Sequence, residues 1–595
     1  MSSITQAPTL FLRNATGLVK GWSGFDAFAY SFMSVNLVTL GMFYSFAYLA
    51  YVPDGSAIAS IAVSGIAVTF LAIAYAGLIS AMPRAGGDYV WQSRILDGIP
   101  AVATGAVVGG VTGWAVGGAT LGGDSGALIG GVAGLVIGGV LGRVRGGIAF
   151  VLAATGWWFI LAQWAPIYGG IFTVEFLQPL AALVGWHDGV TFFGSNDGLF
   201  TASLIVIVLT SLLVALGMAG YARIQRASLW VGLAGLAVVF VLLLVSSQTD
   251  FQTAYDREAV SLFGVQNAYQ ATIDSAATNA AYSGGDIGTF GFGPGTLALI
   301  PFMFFWILYP NWGSTLYGEV RGATDFRKVL NGMLGGIWVT IALAVAFLVL
   351  AAKTFGWTFF NSSNVLFVNL FYGYSTVAPP VPIWGYPPML AGFLINSHII
   401  QIAIVLVFGA WFLGWSGTLF LSSTRMIFAA AFDRVLPEAA ARVSERRAVP
   451  WVALIFIMVP SIVVSWLYAY MGGFRALTLD ASLVIAVTFF GSAIAATILP
   501  WWKPKIYENS PIARYKVFGI PLIAIGGAVT VLVLGWTIWR WLIDPLYGIG
   551  VGNSTSIIYL GVMYGLAVVV YIVAWLYRRS QGIDLAKVHE EIPVD

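Results

Sequence analysis

Two apolar stretches of this 595-residue chain carry polar and helix-breaking residues at their middles. In the first, Trp22–Val52, the run Ser31-Phe32-Met33-Ser34-Val35-Asn36 sets two hydroxyls and an amide among apolar side chains. The second, Thr296–Val320, is interrupted by Tyr309-Pro310-Asn311-Trp312-Gly313. Pro310 lacks an N–H and disfavours helix at Tyr309, while Gly313 tolerates unusual backbone angles. Backbone left out of a helix at membrane depth needs a bound solute, an ion or a polar cavity wall. If the first helix unwinds, its outer half starts near Asn36. The free N–H groups there face an anionic group such as a carboxylate, and the freed carbonyls of the inner half suit a cation or ammonium. Phe305, Trp306, Tyr309 and Trp312 can pack a side chain, hold an ammonium over a ring, or gate the site. The chemistry is recognition of a small polar solute. Ser31, Ser34 and Asn36 take its polar end, and Tyr309, Asn311, Trp312 and Gly313 take its amine or cover it. Trp157 or Trp158 completes the wall. The competing reading is that the Ser and Asn groups hydrogen-bond neighbouring helices and that Pro310 only kinks its own.

The elements that position these residues follow from composition. The chain is 59% hydrophobic and 9% charged, with a mean hydropathy of +0.88. Ordinary soluble domains are about a quarter charged. Apolar runs of about 20 residues, enough for a hydrocarbon core of ~30 Å, recur from end to end. Twelve core spans are predicted, over 24–51, 56–81, 147–180, 198–219, 227–246, 296–320, 329–352, 389–424, 450–470, 478–500, 519–542 and 556–577. With both termini inside, all 27 Lys and Arg residues except Arg257, Lys353, Arg475 and Arg540 fall on the cytoplasmic side, as the positive-inside rule requires. The expectation is a multi-pass protein of the cell (plasma) membrane, without a cleavable signal peptide because Met1–Gly21 is polar.

Spans 1–5 and 6–10 form two sets of five. Five is odd, so the second set runs inverted, and the broken spans open each set. Residues 101–142 hold fifteen glycines, recurring every fourth position at 105–117 and 122–142, around a turn at Gly122-Gly123-Asp124-Ser125. That spacing lines small residues on one face and permits close helix contact, so a hairpin of two short helices is predicted, with a Gly-rich loop or surface piece as the alternative. The units are then 1–100 with spans 1 and 2, 101–145 the hairpin insert, 146–246 spans 3–5, and 247–295 an extracellular loop. They continue as 296–500 the second five-helix repeat, 501–577 spans 11 and 12, and 578–595 a cytoplasmic tail. The outer loop, with Asp250, Asp256, Glu258, Asp274 and Asp286 against Arg257, draws cations or is a solvated lid. Sequons at Asn361 and Asn553 fall outside.

Enzyme chemistry is not indicated. Cysteine is absent, the phosphate-loop pattern is missing, and His187, His398 and His589 are scattered, so no metal site and no cofactor are expected. Asp26, Glu175, Glu319 and Asp480 fall near span ends, which leaves no obvious charged relay at mid-depth. A coupling ion, Na⁺ or H⁺, would meet hydroxyls and carbonyls, with Ser416 and Thr418 as oxygen ligands suited to Na⁺. His398 is placed in the outer part of span 8.

Three segments carry a resemblance. MPRAGGDYVWQSRI (Met82–Ile95), YGEVRG (Tyr317–Gly322) and SSTRMIFAAAFDRVLPE (Ser422–Glu438) resemble motifs of the amino acid–polyamine–organocation (APC) transporter superfamily, and the tail Arg578–Asp595 resembles those of its prokaryotic amino acid permeases. The resemblance implies five-plus-five inverted repeats, a substrate between spans 1, 3, 6 and 8, and alternating access driven by an ion gradient. Two departures stand out. Ser31, Ser34 and Asn36 occupy a break where members that bind an amino acid carboxylate usually have glycines, and Gly322-Ala323 replaces the usual proline after Glu319. The combined expectation is an all-α polytopic membrane protein with twelve core transmembrane helices, broken helices 1 and 6, and an inserted Gly-rich hairpin. Its expected activity is secondary active transport of amino acids or related amines. The alternatives are transport of another small organic cation or nucleobase-like solute, or a non-transporting scaffold or sensor. Partners are the small solute, the bilayer and a second copy assembled through the hairpin, with no nucleic acid.

Overall fold

The computed structural model describes Leu18 and residues 20–279 and 292–590. Arg13, Asp286 and the end of the tail, 591–595, lie outside the described residues. Among the described residues, 14 helical segments are long and apolar enough to cross a membrane. Two are the hairpin helices, Gly98–Leu121 and Gly123–Arg143. The others are span 1 Gly24–Ser45, span 2 Ala57–Ala81, span 3 Gly147–Leu183, span 4 Asn196–Ala215, span 5 Gly217–Val245 and span 6 Pro294–Glu319. They continue with span 7 Phe326–Phe371, span 8 His398–Phe432, span 9 Trp451–Tyr470, span 10 Arg475–Trp502, span 11 Leu522–Ile543 and span 12 Ser554–Ser580. The chain is thus an all-α polytopic membrane protein. Spans 1, 3 and 6 lie innermost, each with 89% of its apolar window buried, whereas the hairpin helices, at 22% and 28%, are peripheral.

Three boundaries differ from the sequence reading. Span 5 begins ten residues early at Gly217, which takes a left-handed φ of 73° and turns the chain tightly out of span 4. Span 8 starts at His398, not near 389, because Pro387–Phe393 makes a separate short helix. Span 7 continues through a wide turn, Ala352–Gly356, to Phe371. Lys353 made that region look like a loop, yet its ammonium donates to the carbonyls of Leu243, Leu244 and Ser246 at 3.0, 2.6 and 2.7 Å and caps the end of span 5. Asn361 is consequently buried within a helix, so the sequon there is closed to glycosylation.

The segment 247–295 between spans 5 and 6 is structured where described, with helices at Gln248–Phe263 and Ala268–Ala277. Ser247 and Asp250 cap the first reciprocally, and the backbone N–H and hydroxyl of Ser247 hold the Asp250 carboxyl below its ordinary range. Glu258 is buried between Arg257 (2.8 Å) and His398 (3.1 Å), and Arg257 donates to the Phe393 carbonyl at 2.6 Å. These charges fasten the segment to the start of span 8.

In the hairpin the glycine faces meet. A Cβ added at Gly105, Gly109, Gly113 or Gly117 would sit 2.2 Å from the carbonyl oxygen of Gly138, Gly134, Gly130 or Gly126 respectively. The stripe is therefore consumed inside the hairpin. The face left outward carries Leu128, Val132, Leu135 and Val136. Replacing Gly113 and Gly130 by Ala gains roughly 1 kcal/mol of helix propensity at each. The clash is with backbone that no rotamer change relieves, at about 1–3 kcal/mol per site. The double variant should open the hairpin to proteolysis in liposomes faster than the parent; equal digestion rates would show the faces are not packed this way.

Candidate functional site

Both interruptions are breaks. Span 1 is helical over Gly24–Ser34, irregular at Val35, extended at Asn36, and resumes as a wide helix over Leu37–Ser45. Asn36 is the N-cap of the outer half, its Oδ1 accepting from the N–H of Thr39 (3.2 Å) and the indole of Trp411 (3.2 Å). Span 6 is helical to Ile307, irregular through Tyr309-Pro310-Asn311, and then tight 3-10 helix over Trp312–Glu319. The breaks face each other, and the Ser31 hydroxyl donates to the Pro310 carbonyl at 2.8 Å. Below them, the chain entering span 1 pairs with the chain leaving span 6. Trp22 N–H donates to Glu319 O (3.2 Å), and Arg321 N–H donates to Trp22 O (3.0 Å).

Against the breaks lies a narrow cavity of about 10 Å³, room for about one water, among spans 1, 3, 6 and 8. Ser34 and Leu40 line it from span 1, Trp164 and Tyr168 from span 3, Tyr309 and Trp312 from span 6, and Trp415 and Thr418 from span 8. Tyr168 stacks on Trp415 with ring centroids 3.8 Å apart, and Trp164 meets Tyr309 edge-on at 6.0 Å. The Tyr168 hydroxyl lies 3.2 Å from Thr418 Oγ1, the Trp312 indole donates to the Thr418 carbonyl (3.2 Å), and the Tyr309 hydroxyl reaches Ser482 Oγ (2.7 Å). Trp164 Nε1 has no hydrogen-bond partner. Neither do Asn36 Nδ2, Thr39 Oγ1 and both side-chain polar atoms of Asn311, all buried around the breaks. Unpartnered polar groups are costly in a low-dielectric interior, and their concentration beside a void marks a place for solute or water.

Some expected residues lie elsewhere. Ser31 ties the two breaks together, and neither it nor Asn36 lines the cavity. Trp158 turns outward, donating to the Phe456 carbonyl of span 9 at 2.8 Å. Its neighbour Trp157 packs on Trp312 at 4.8 Å beneath the cavity. Gly313 sits where a Cβ would come 3.3 Å from the Tyr30 ring, so it lets span 1 close on the break. The Ser416 hydroxyl donates back to its own helix at Leu413 O (3.0 Å) and, unlike Thr418, does not line the cavity.

Sequence reading missed Asp88. Its segment looked like a loop beyond span 2, but Gly86 and Gly87, with φ of 95° and 42°, fold it back against span 6. Gly86 N–H donates to Thr315 O (2.9 Å), and a Cβ on Gly87 would meet the Ser314 backbone at 2.8 Å. Asp88 is fully buried there. Tyr75 and Ser492 (2.6 Å) donate to Oδ1, and Trp157 (3.0 Å) and Ser314 (3.0 Å) donate to Oδ2. The only signal in the residues themselves is the two glycines before an acid. Below this cluster, two buried forked ion pairs join the motif segments. Arg425 holds Glu319 at 2.7 and 3.1 Å, and Arg94 holds Asp433 at 2.6 and 2.9 Å. Of the other acids expected near span ends, Asp26 pairs with Arg226 (3.1 Å), and Asp480 accepts from Ser556 (2.7 Å).

Among known proteins, neither the family models nor the curated sequences match this chain.

Proposed function

We propose that the chain is a secondary active transporter of amino acids or related amines, built on the inverted-repeat plan of the APC superfamily. It would sit in the plasma membrane with both termini in the cytoplasm and alternate access around a central site. The observation that carries this reading is the pair of facing breaks at a narrow cavity among spans 1, 3, 6 and 8. At about 10 Å³ it has room for about one water, far below common ligand pockets of about 300–1,000 Å³, so in this reading the rings move apart to admit a small solute. No charged side chain lines it. A charged solute would therefore be met by the Trp164 indole N–H, the hydroxyls of Ser34, Tyr168 and Thr418, and freed backbone. The rings of Tyr168, Trp415 and Trp312 would face an ammonium.

The same aromatic enclosure also favours a second reading, an organic cation without a carboxylate. Uptake of radiolabelled amino acids and amines into proteoliposomes, with and without Na⁺ or proton gradients, tests both. Uptake of amines but no zwitterion selects the second, and no uptake of any of them overturns the transporter reading. Given uptake, Trp164→Phe keeps the ring and loses its N–H, so the apparent KM should rise roughly five- to tenfold, the worth of about 1–1.4 kcal/mol. Trp158→Phe, facing span 9, should leave KM within about twofold. Equal effects of the two would place the solute elsewhere.

A further inference from the structure

Asp88 is a buried acid with no cation. Its four partners, Tyr75, Trp157, Ser314 and Ser492, come from spans 2, 3, 6 and 10, and all are neutral. Among the described residues, its hydrogen-bond partners include no charged group. From span 2 comes only the Tyr75 hydroxyl, from span 3 the Trp157 indole, and from span 10 Ser492 and, through it, Gln92 of the acid's own helix. Arg94 of its own helix is paired with Asp433, and Glu319 of span 6 with Arg425. Tyr89 reaches the ring of His589 at 3.0 Å. A carboxylate that only needed to hold elements together would be served as well by an amide. One that lacks a fixed counter-charge and contacts four separate spans is suited to changing its own charge.

The partners divide unequally between the two oxygens. Trp157 offers only an N–H, so Oδ2 must remain an acceptor whether or not the acid is ionised. Both partners of Oδ1 are hydroxyls, which can turn and accept. Ser492 accepts from Gln92 Nε2 at 2.9 Å and keeps a second lone pair, so either hydroxyl can accept, and Tyr75 is singled out by its other neighbour. Beside the Tyr75 hydroxyl, within hydrogen-bonding reach of it, lies Asn311, in the break of span 6 and fully buried. It supplies the acceptor a reversed Tyr75 would need.

Resting on the transporter reading, we propose that Asp88 carries the coupling proton. One proton from water on the side of higher proton activity binds Oδ1, converting the carboxylate to the acid. Asp88 then donates to Tyr75, and the Tyr75 hydroxyl swings its hydrogen to Asn311 Oδ1. The hydrogen-bond tie passes from Asp88 to the break itself, and the proton leaves to water on the opposite side when the site opens there. No electrons move, and the carboxylate is regenerated.

Two measurements decide this. Infrared difference spectra of the reconstituted full chain, stepped from mildly acidic to mildly alkaline pH, should contain a carboxylic acid carbonyl band that Asp88→Asn removes and Asp88→Glu displaces. An unchanged band in Asp88→Asn overturns the proposal. Should Asp88→Asn fail to fold, Tyr75→Phe serves instead. Losing one donor to the anion should move the midpoint of the band up by about one pH unit, and an unmoved midpoint overturns the proposal. In proteoliposomes loaded with a pH-reporting dye and given the same amino acid and amine panel, uptake should acidify the lumen and quicken under an acid-outside gradient. Asp88→Asn should lose both. Uptake by the parent without acidification overturns this assignment alone, whereas no uptake at all overturns the transporter reading and this assignment with it.

Discussion

Glu319→Leu is expected to destabilise the protein by about 3–5 kcal/mol, because it leaves the Arg425 guanidinium buried without its counter-charge. Both side chains are 1% exposed, and the carboxylate occupies two of the guanidinium N–H groups, at 2.7 and 3.1 Å. The guanidinium also donates to Thr424 Oγ1 at 3.2 Å, a neutral partner that cannot balance its charge. The double variant Glu319→Leu with Arg425→Met should recover most of the loss, since removing both charges also removes the cost of burying them. Unfolding in detergent, followed for parent, single and double variants, reads both effects. A single variant within about 1 kcal/mol of the parent would mean that water reaches the pair, as at exposed ion pairs, and that the inner side is open.

Trp312→Ala should reduce uptake, as apparent kcat/KM, by about a hundredfold or more. Truncating a buried tryptophan removes about 3–5 kcal/mol of packing, here concentrated at the cavity. The ring forms part of the wall, packs on Trp157 at 4.8 Å and Tyr309 at 5.1 Å, and donates to the Thr418 carbonyl at 3.2 Å. Trp312→Phe keeps much of the packing and loses only the donor, so it should lie about tenfold below the parent. The comparison is made on variants whose detergent unfolding midpoints match the parent. If Trp312→Ala retains most of its uptake, the solute path does not pass this ring.

The breaks were legible because an unbroken membrane helix seldom tolerates helix-breaking and polar residues together at its middle. Pro310 and Asn36 ended and restarted helices where the sequence indicated. The hairpin was legible for a similar reason, since a four-residue glycine period has one geometric use. Side-chain direction was harder. Trp157 and Trp158 are adjacent, and which one faces inward depends on a wide helical turn over Thr155–Phe159 that residue types do not announce. Nothing in the residues around Tyr168, Trp164 and Trp415 marks a shared wall, which exists only once span 3 is set beside span 8. Asp88 was hidden by chain direction. Its neighbours suggest a surface loop, and only the turn at Gly86-Gly87 carries the carboxyl beneath span 6.

The backbone pairing of Trp22 with Glu319 and Arg321 also constrains how this molecule moves. Together with the bond from Ser31 to Pro310, it rivets the two broken spans at two levels. Neither can slide along the other by a residue without breaking main-chain bonds at the foot or the side-chain bond at the waist. They behave kinematically as one lever, and a change in which side is open has to come from the lever tilting against spans 3, 8 and 10, to which it is tied through side chains, the buried Arg425–Glu319 pair to span 8 being the costly one to exchange.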